Sequence, residues 1–540
     1  MGKAKPTSGA VTIGWWLSCA LAASAWCLTA SPQLSATFDE PLYVRAGLEC
    51  WRSGSNASLI HVGTLPLPMR VQALPAYLSE QISGRPWDME ADFRTLLHLA
   101  RAGNLLFLWL LLGYGWLIAR QLAGAWAGRL AVLLLACEPN VLAHATLATA
   151  DIAVSACLLM LCYHYRQGRE RGVWLRVVLP GLLYAVAMMA KASALAFGPL
   201  CVWTIELARL RTRGGKWTES ARDLLLIGVL GLGLLLVLCG TDCQPLPSFA
   251  RWATTLPDGL LAQSMRWLAE NLCIFPNAAE ALVRQIKHNA HGHATYLLGQ
   301  DRAGAFWYYF PVVLTMKLTV PVLLLLLGGV VAATLGCGRR GLTHWCSACA
   351  LVLLAFSLNC RVQIGIRLVL PLVVFLVLTA SLIASHWAQH GPTLRRGVLV
   401  LVAWAVGVAG WAWPDALRYI NPIWGGPERA HLLVSDSNCD WGQGLIELQQ
   451  SYAGQQPLSV WYFGTDPLIL TGPWRHVPLH TLPVRDLADV RRQVPTRRLA
   501  VSLTLLYGHP LTEPHRHAAQ ALRTLTPVAR TRTFFIYELP

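Results

Sequence analysis

The sequence predicts an α-helical polytopic membrane protein that carries a small C-terminal α/β domain. Of its 540 residues, 55% are hydrophobic and only 13% are charged, whereas soluble proteins carry roughly 25% charged residues. Apolar runs long enough to cross a bilayer recur along most of the chain, and a mixed pattern of short runs follows them. These observations exclude a disordered protein, a coiled coil and a compact soluble enzyme.

Eleven apolar stretches are predicted to cross the membrane, because a spanning helix needs about 20 apolar residues, or fewer where neighbours shield its ends. In chain order they are 11–31, 102–119, 122–137, 141–164, 173–190, 192–208, 222–240, 306–335, 343–359, 364–386 and 397–413. The first stretch follows Lys3 and Lys5 and has features of a signal peptide. Its length and the crossings behind it favour a retained helix.

Basic residues predict that the N-terminus lies inside, because cytoplasmic connections carry an excess of Lys and Arg. With that start, every arginine-rich connection falls inside, and these connections hold Arg120, Arg129, Arg166, Arg169, Arg171, Arg176, Arg209, Arg211, Arg213, Lys216, Arg222, Arg339, Arg340, Arg395 and Arg396. The short outer connections hold only Lys191, Arg361 and Arg367. An odd number of crossings then puts the C-terminal segment outside.

The predicted organisation is therefore a transmembrane domain over 1–413, with outer loops 32–100 and 241–305, and a C-terminal domain over 414–540. The net charge of +16 does not indicate a nucleic-acid partner, because the basic residues form short clusters between apolar stretches, as charges at a membrane surface do.

Two regions outside the crossings have a readable pattern. In the stretch from Leu67 to Leu78, apolar residues recur with polar residues between them. This pattern is consistent with an amphipathic helix that lies in the headgroup layer. In the C-terminal segment, apolar runs at 431–434, 458–463, 499–505 and 534–539 alternate with helical stretches at 445–452 and 515–525. This alternation predicts the α/β domain.

Acidic side chains at membrane depth are candidate site residues, because burying a charge there costs several kcal/mol unless it is paired or hydrated. Asp39 and Glu40 follow the first crossing at its outer end. Glu138 lies in the outer turn before the fourth crossing, and Asp151 lies inside that crossing near the same face. His144 precedes Asp151 by one or two helical turns.

Three basic side chains are predicted at the same depth. Lys191 lies in the outer turn between the fifth and sixth crossings, Lys317 in the outer half of the eighth, and Arg367 at the start of the tenth. A carboxylate can accept the proton of an attacking hydroxyl, while Lys and Arg can hold a phosphate leaving group. The alternative is that all of these residues form buried ion pairs and helix-end anchors.

Five patches resemble one enzyme family. They are Phe38-Asp39-Glu40-Pro41-Leu42-Tyr43 with Gly47, Glu138-Pro139-Asn140 through His144 to Asp151, Gly181 to Lys191, Gly365 to Pro371, and Asn421 to Gly426 with Asp436 to Gln443. In order and sidedness they are similar to the polyprenyl-phosphate-sugar-dependent glycosyltransferases, the relatives of protein O-mannosyltransferases and aminoarabinose transferases. The last patch resembles a bacterial, phospholipid-carrier-dependent branch of that family.

The resemblance implies a C-type glycosyltransferase fold in the bacterial cytoplasmic membrane and a donor sugar on a lipid monophosphate. It implies that Asp39 is the base, and that Asp151 shapes the site and in some relatives holds a divalent metal ion together with Asp39. One departure concerns the first loop, where relatives often have His-Pro-Pro and this chain has Leu65-Pro66-Leu67-Pro68-Met69, with His61 displaced. The resemblance therefore implies no role for a histidine in the first loop of this chain.

The segment Asp436 to Gln443 allows three interpretations. Asp436, Asn438, Asp440 and Glu447 have the spacing of a calcium loop, but Trp441 occupies the sixth position, where Gly makes the turn. Asp440 and Gln443 have the spacing of a helix capping box. A third interpretation has Asp440 or Trp441 lining the acceptor site.

The sequence thus predicts a membrane glycosyltransferase that acts by inverting displacement. Asp39, Glu40 and Asp151 are the predicted catalytic residues, and Lys191, Arg367 and Lys317 the phosphate contacts. His144, Glu138, Asp440 and Trp441 are accessory candidates. The expected partners are a lipid-linked sugar and an acceptor glycan, lipid or protein. The alternatives are a lipid or solute transporter, whose charges would line both faces, and a structural subunit of an envelope complex.

Overall fold

A computed structural model describes residues 9–61, 63–240, 242, 244–273, 276–335, 344–452 and 457–540. Arg339 and Arg340, and the side chain of His61, lie outside the described part of the chain. The described residues are mostly helical, with a small sheet near the C-terminus. This confirms the predicted fold class.

Among the described residues of the first half of the chain, the regular elements are all helices. Its helices are α1 (Gly9–Ala30), α2 (Glu40–Ser53), α3 (Ala57–His61), α4 (Leu67–Ser83), α5 (Phe93–Cys137), α6 (Pro139–Thr146), α7 (Asp151–Gly168), α8 (Leu179–Ala190), α9 (Ala194–Arg213) and α10 (Trp217–Cys239). A π-helical turn, Trp174–Val178, leads into α8.

The second half begins with short elements and returns to longer helices. The elements are α11 (Pro247–Thr254), α12 (Leu260–Asn271), α13 (Pro276–His291), the hairpin strands β1 (Thr295–Leu297) and β2 (Gln300–Arg302), α14 (Tyr309–Lys317), α15 (Val320–Thr334), α16 (Trp345–Ser357), α17 (Leu370–Ala388) and α18 (Pro392–Trp411).

Every predicted crossing contains helix in the structure, but fewer helices are long and apolar enough to span a bilayer alone. Among the described residues there are five such helices, or seven if each of two bent pairs counts as one span. The bends are 114° between α6 and α7 and 117° between α14 and α15. Eleven crossings remain a prediction.

The long helix α5 is a helical hairpin and accounts for two of the predicted crossings. At 45 residues a straight helix would reach about 67 Å, twice the thickness of a bilayer core. The helix breaks at Ala123 and Gly124, and Gly124 has a φ of 85°. A Cβ on Gly115 would lie 2.6 Å from Leu135 Cδ1, so the two arms pack against each other.

The core of the bundle surrounds α17. Its apolar window is 89% buried, compared with 28–50% for the other four spanning helices. It packs against α5, α7, α15, α16 and α18. The 3-10 helical turn Ile366–Val369, which carries Arg367, lies at its N-terminal end and is therefore held on several sides.

The amphipathic helix predicted over 67–78 is α4. Met69, Ala73 and Ala76 are buried where α4 packs against α2 and α5, while Leu78 and Ile82 are exposed. Its location in the headgroup layer remains a prediction.

The C-terminal segment forms a mixed five-stranded sheet flanked by short helices. The strands are β3 (Leu458–Trp461), β4 (Arg475–His476), β5 (Arg498–Ser502), β6 (Ala529–Arg530) and β7 (Phe534–Glu538), in the order β4-β3-β5-β7-β6. The pairs β3/β4 and β3/β5 are parallel, whereas β5/β7 and β6/β7 are antiparallel.

The helices of this segment are α19 (Ala430–Leu433), α20 (Leu445–Tyr452), α21 (Leu468–Thr471), α22 (Leu487–Gln493), α23 (Leu503–Tyr507) and α24 (Glu513–Arg523). The run at 431–434 therefore does not pair as a strand of the sheet. It forms one helical turn, and only Val434 makes an isolated bridge, to Leu297. Four apolar residues are too few to distinguish a buried helical turn from a strand.

Candidate functional site

Four charged side chains from distant parts of the chain line one cavity of 620 Å³; they are Asp39, Asp151, Lys191 and Arg367. Polar groups beside them include Tyr43, Thr64, Thr149, Ser193, Gln285, His288 and Asn289, and apolar wall residues include Leu195, Phe197, Phe356 and Leu368. The cavity therefore combines two acids and two bases with an apolar flank.

Asp39 immediately precedes α2 and points its carboxylate into this cavity. Its Oδ2 accepts a hydrogen bond from Arg367 Nη1 at 3.0 Å, and its side chain is 25% exposed. The N-terminal end of a helix favours a carboxylate. Asp39 thus has a cationic partner and remains accessible from the cavity.

Glu40 points away from the cavity. Both of its carboxylate oxygens accept hydrogen bonds from Arg101, at 2.7 and 2.8 Å, and the backbone amide of Ala148 donates to it at 2.7 Å. Burial raises the pKa of Glu40, but the charge and hydrogen bonds of Arg101 outweigh it, so the net pKa is lowered. Glu40 anchors the loop that carries Asp39 rather than facing a ligand.

Arg101 extends this anchor to the backbone. Its Nη atoms donate to the carbonyl groups of Ser31 and Leu34 at 2.9 Å and of Ser35 at 2.8 Å. Sequence reasoning did not select Arg101. The available signal was its position at the boundary of a predicted crossing, where an unpaired charge is costly.

Asp151 begins α7, directly after the sharp bend that follows α6. Its carboxylate accepts from Lys191 Nζ at 2.5 Å and from Thr149 Oγ1 at 3.1 Å. Lys191 lies in the break between α8 and α9, with its side chain 24% exposed. His144 Nδ1 is 4.0 Å from the Asp151 carboxylate and is buried behind it.

Arg367 is held from the side opposite Asp39 by the C-terminal segment. Its Nε donates to Ser437 Oγ at 3.1 Å, and its guanidinium carbon lies 4.0 Å from the centroid of the Trp441 ring. A Cβ on Gly365 would lie 2.1 Å from Ser437 Oγ. This close approach therefore requires glycine beside Arg367.

Lys317 and Glu138, predicted at the same depth, do not reach the cavity. Lys317 Nζ donates to the carbonyl groups of Leu417 at 2.6 Å and Asn438 at 3.0 Å. Glu138 accepts from the Asn140 amide at 2.6 Å. Both side chains are buried where the bundle meets the C-terminal segment, so the structure gives them tethering contacts rather than ligand-facing ones.

The segment Asp436 to Gln443 forms neither a calcium loop nor a helix cap. Asn438 bonds to Tyr309 and to the Ile366 amide, Asp440 accepts from the amides of Gly442 and Thr504, and Glu447 accepts from the Arg532 amide. The helix α20 begins only at Leu445. Of Asp440 and Trp441, the two residues of the third interpretation, only Trp441 contacts a cavity residue, with its ring under the Arg367 guanidinium.

Asp436 and Tyr43 also lie near Arg367 and Asp39. Burial raises the pKa of the Asp436 carboxyl to about 6, although the positive charge of Arg367 lowers it. Tyr43 lies one helical turn after Asp39 and lines the cavity. Tyr43 belongs to the family-like motif at 38–43. This motif was the sequence signal for Tyr43, but no role for the residue was predicted from it.

The described residues do not form a metal site of the usual kind. Among them, no group of three or more His, Cys, Asp and Glu side chains gathers where it could hold an ion. Asp39 and Asp151 each already have a cationic partner. The side chains present therefore do not fit the predicted divalent metal ion.

Comparison with known proteins finds a family match over part of the chain. Residues 97–236 match the family model described as dolichyl-phosphate-mannose-protein mannosyltransferase. This partial match agrees with the predicted resemblance to lipid-phosphate-dependent glycosyltransferases and with the predicted enzyme class. No curated protein matched the chain.

Solved structures similar to the chain include ArnT and AglB. ArnT from Cupriavidus metallidurans, solved with undecaprenyl phosphate, is 15% identical, with 97% of each chain covered and a TM-score of 0.47. The oligosaccharyltransferase AglB from Archaeoglobus fulgidus, solved with an inhibitory peptide and a dolichol-phosphate, is 10% identical. That comparison covers 97% of this chain and 74% of AglB, with a TM-score of 0.48.

Proposed function

We propose that this membrane protein, a relative of the lipid-phosphate-dependent glycosyltransferases, transfers a sugar from a polyprenyl monophosphate to an acceptor hydroxyl, with Asp39 as the base. The observation that carries the proposal is the convergence of Asp39, Asp151, Lys191 and Arg367 on one 620 Å³ cavity. Such a cavity has the size of a small-molecule site. Its carboxylates can accept the proton of an attacking hydroxyl, and its cations can bind a phosphate leaving group.

Lys191 and Arg367 are the proposed phosphate contacts. Each is paired with a carboxylate, at 2.5 Å for Lys191 with Asp151 and 3.0 Å for Arg367 with Asp39. A bound phosphate would compete with these carboxylates for both cations. Charge-assisted hydrogen bonds to phosphate are strong enough for that competition.

The proposed reaction is a single displacement. The acceptor oxygen bonds to the anomeric carbon as the bond from that carbon to the phosphate oxygen breaks, which inverts the configuration. The acceptor proton goes to an Asp39 carboxylate oxygen, and polyprenyl phosphate leaves with the electron pair of the broken bond. Lys191 and Arg367 stabilise the charge that develops on the phosphate, and the activated donor supplies the driving force without ATP.

The apolar flank of the cavity supports a lipid-borne donor. Leu195, Phe197, Phe356 and Leu368 line the same cavity as the charged groups. Phe197 and Phe356 pack edge to face, with ring centroids 5.7 Å apart. An amphiphile whose phosphate meets Lys191 and Arg367 can therefore lay its first isoprene units on this flank.

Transfer is tested in membranes that contain the protein and a radiolabelled pool of polyprenyl-phosphate sugars. The proposal expects label to appear covalently in an acceptor, and it expects Arg367→Gln and Lys191→Gln to raise the donor KM by roughly tenfold or more each. Arg361→Gln, which changes an outer arginine absent from the cavity lining, is the matched control. Label that merely changes sides of the membrane would indicate a transporter instead.

A further inference from the structure

The segment from Asp436 to Gln443, here called the clamp segment, contacts Arg367 and the loop that carries Asp39. On one side it holds Arg367, through Ser437 and Trp441. On the other it holds the loop that carries Asp39. Asp39 and Arg367 are 328 residues apart in sequence. Because the clamp segment supports both, it fixes the distance between their side chains, which neither helix sets alone.

Trp441 and Ser437 leave Arg367 little freedom. Trp441 is 2% exposed and lies under the guanidinium. Ser437 Oγ accepts from Nε and donates to the Ile364 carbonyl at 2.5 Å, so its orientation is fixed in turn. The stacked face and the Nε edge are thereby occupied, and the Nη1 edge points at Asp39.

The backbone of the clamp segment also holds the Asp39 loop. The carbonyl of Trp441 accepts from the Phe38 amide at 2.9 Å, and the carbonyl of Gln443 accepts from the Ser35 amide at 3.0 Å. Ser35 Oγ donates to the Gly442 carbonyl at 2.9 Å. Both flanks of the short loop before Asp39 are thus bonded to three consecutive residues of the clamp segment.

The clamp segment is itself anchored to the bundle. Asn438 Oδ1 accepts from the Ile366 amide at 2.9 Å, and its amide donates to the Tyr309 hydroxyl at 2.9 Å. Lys317 Nζ donates to the Asn438 carbonyl at 3.0 Å. The support is therefore continuous from α14 through the clamp segment to Arg367.

We infer that Trp441 and Ser437 are positioning residues that fix the Arg367 guanidinium for the donor phosphate, and that the clamp segment sets the spacing between this cation and Asp39. The inference rests on the proposed function. The C-terminal segment thereby supports the site directly. It keeps Arg367 Nε on Ser437 and the guanidinium face on Trp441, while Arg367 Nη1 moves from Asp39 to a phosphate.

The test measures binding of a short-chain polyprenyl monophosphate, and of the matching neutral polyprenol, to the full chain in nanodiscs. Trp441→Leu removes the ring face and Trp441→Phe retains one, while Ser437→Ala removes only the acceptor for Nε. Trp461→Leu is the matched control, because Trp461 is a fully buried tryptophan of the same C-terminal segment whose Nε1 bonds to His480.

Trp441→Leu is expected to weaken monophosphate binding roughly tenfold to thirtyfold, the range of a desolvated cation–π contact. Trp441→Phe should restore most of this loss, Ser437→Ala should weaken monophosphate binding severalfold, and Trp461→Leu should leave the preference for monophosphate over polyprenol unchanged. A role in folding alone would lower polyprenol binding equally and would not be rescued by Phe.

Two results separate this inference from the proposed function. If Trp441→Leu and Ser437→Ala bind monophosphate as the wild type does while Arg367→Gln loses it, the clamp is wrong and the phosphate site remains. If Arg367→Gln also binds like the wild type, the phosphate site itself is wrong. A Trp441→Leu protein that fails to fold leaves Ser437→Ala and Trp441→Phe to decide.

Discussion

Asp39 and Glu40 are neighbours in sequence with opposite environments. Asp39 has one cationic partner and is partly exposed to the cavity, whereas Glu40 is fully buried with hydrogen bonds from Arg101, Thr37 and Ala148. A buried, saturated carboxylate cannot accept a substrate proton without losing its own contacts. Under the proposed function, Asp39 therefore takes part in the chemistry and Glu40 supports the loop that carries it.

Glu40→Gln is expected to destabilise the protein by about 3–5 kcal/mol, because it leaves the buried Arg101 without a counter-charge. Thermal unfolding in detergent measures the loss. Glu49→Gln, which changes an exposed residue of the same helix, should have little effect. Equal stabilities of the two variants would refute the anchoring role of Glu40.

The same ion pair predicts a dependence of stability on pH. Because the pKa of Glu40 is lowered in the folded protein, its contribution is fully present above the unfolded value of about 4.3 and is lost as the pH falls through the folded value. The wild type should therefore lose stability more steeply on acidification than Glu40→Gln does. Parallel acid curves for the two proteins would contradict the prediction.

At this scale, sequence reasoning selected the charged residues of the cavity but did not predict the direction in which each side chain points. It selected Asp39, Asp151, Lys191 and Arg367, which share the cavity, but also Lys317 and Glu138, which do not. Hydropathy reports how far a residue lies along a crossing, whereas the face to which it points depends on bends such as the one of 117° after Lys317. No local pattern in the sequence encodes that angle.

Among the elements, the hairpin of α5 depends on close packing of its two arms. A Cβ on Gly128 would lie 2.7 Å from Trp116 Cδ1. Gly128→Ala is therefore expected to cost about 1–3 kcal/mol through overpacking. Gly228→Ala in α10, where nothing lies within 4 Å, should be neutral or slightly stabilising. Unfolding in mixed micelles compares them, and equal stabilities would contradict the packing of the arms.

The bend between α14 and α15 anchors the C-terminal segment through Lys317. Lys317→Met should cost about 1–3 kcal/mol, because it leaves the buried carbonyl groups of Leu417 and Asn438 without a donor. Below the unfolding temperature, Asn438 keeps its hydrogen bonds to Ile366 and Tyr309, so binding of polyprenyl monophosphate should remain within about twofold of the wild type, whereas Lys191→Met should weaken it clearly. A loss of binding in Lys317→Met as large as that in Lys191→Met would return Lys317 to the phosphate site.

Element types were predictable where periodicity was long and failed where it was short. The helical stretches at 445–452 and 515–525 appear as α20 and α24, and the runs at 458–463 and 534–539 contain strands. The four residues at 431–434 form a helical turn instead. Pairing in this sheet is decided by partners far away in sequence, such as β5 with β7.

On the scale of the whole molecule, the bundle and its outer loops line the cavity, and the C-terminal segment supports it from behind Arg367. The bundle supplies Asp151, Lys191 and Arg367, and the clamp segment fixes Arg367 and the loop before Asp39. Sequence reasoning found the clamp segment through its likeness to a family motif but could not say what it touches. Its contacts join residues hundreds of positions apart, which a single sequence does not reveal.

The sidedness of the molecule is a further prediction. Alkaline phosphatase fused after Pro540 should be active, because the C-terminal segment is predicted outside, where the disulfides of the reporter form. A fusion after Arg213, in a predicted inner connection, should be inactive. The reverse pattern would place the cavity on the wrong face for a donor in the outer leaflet.

The most direct test of the account is the rate of sugar transfer by Asp39→Asn, measured together with monophosphate binding by the same protein. Transfer should fall at least about 100-fold, the usual contribution of a general base. Monophosphate binding should be retained or tightened, because Arg367 loses a competing carboxylate. Full transfer by Asp39→Asn would contradict the account.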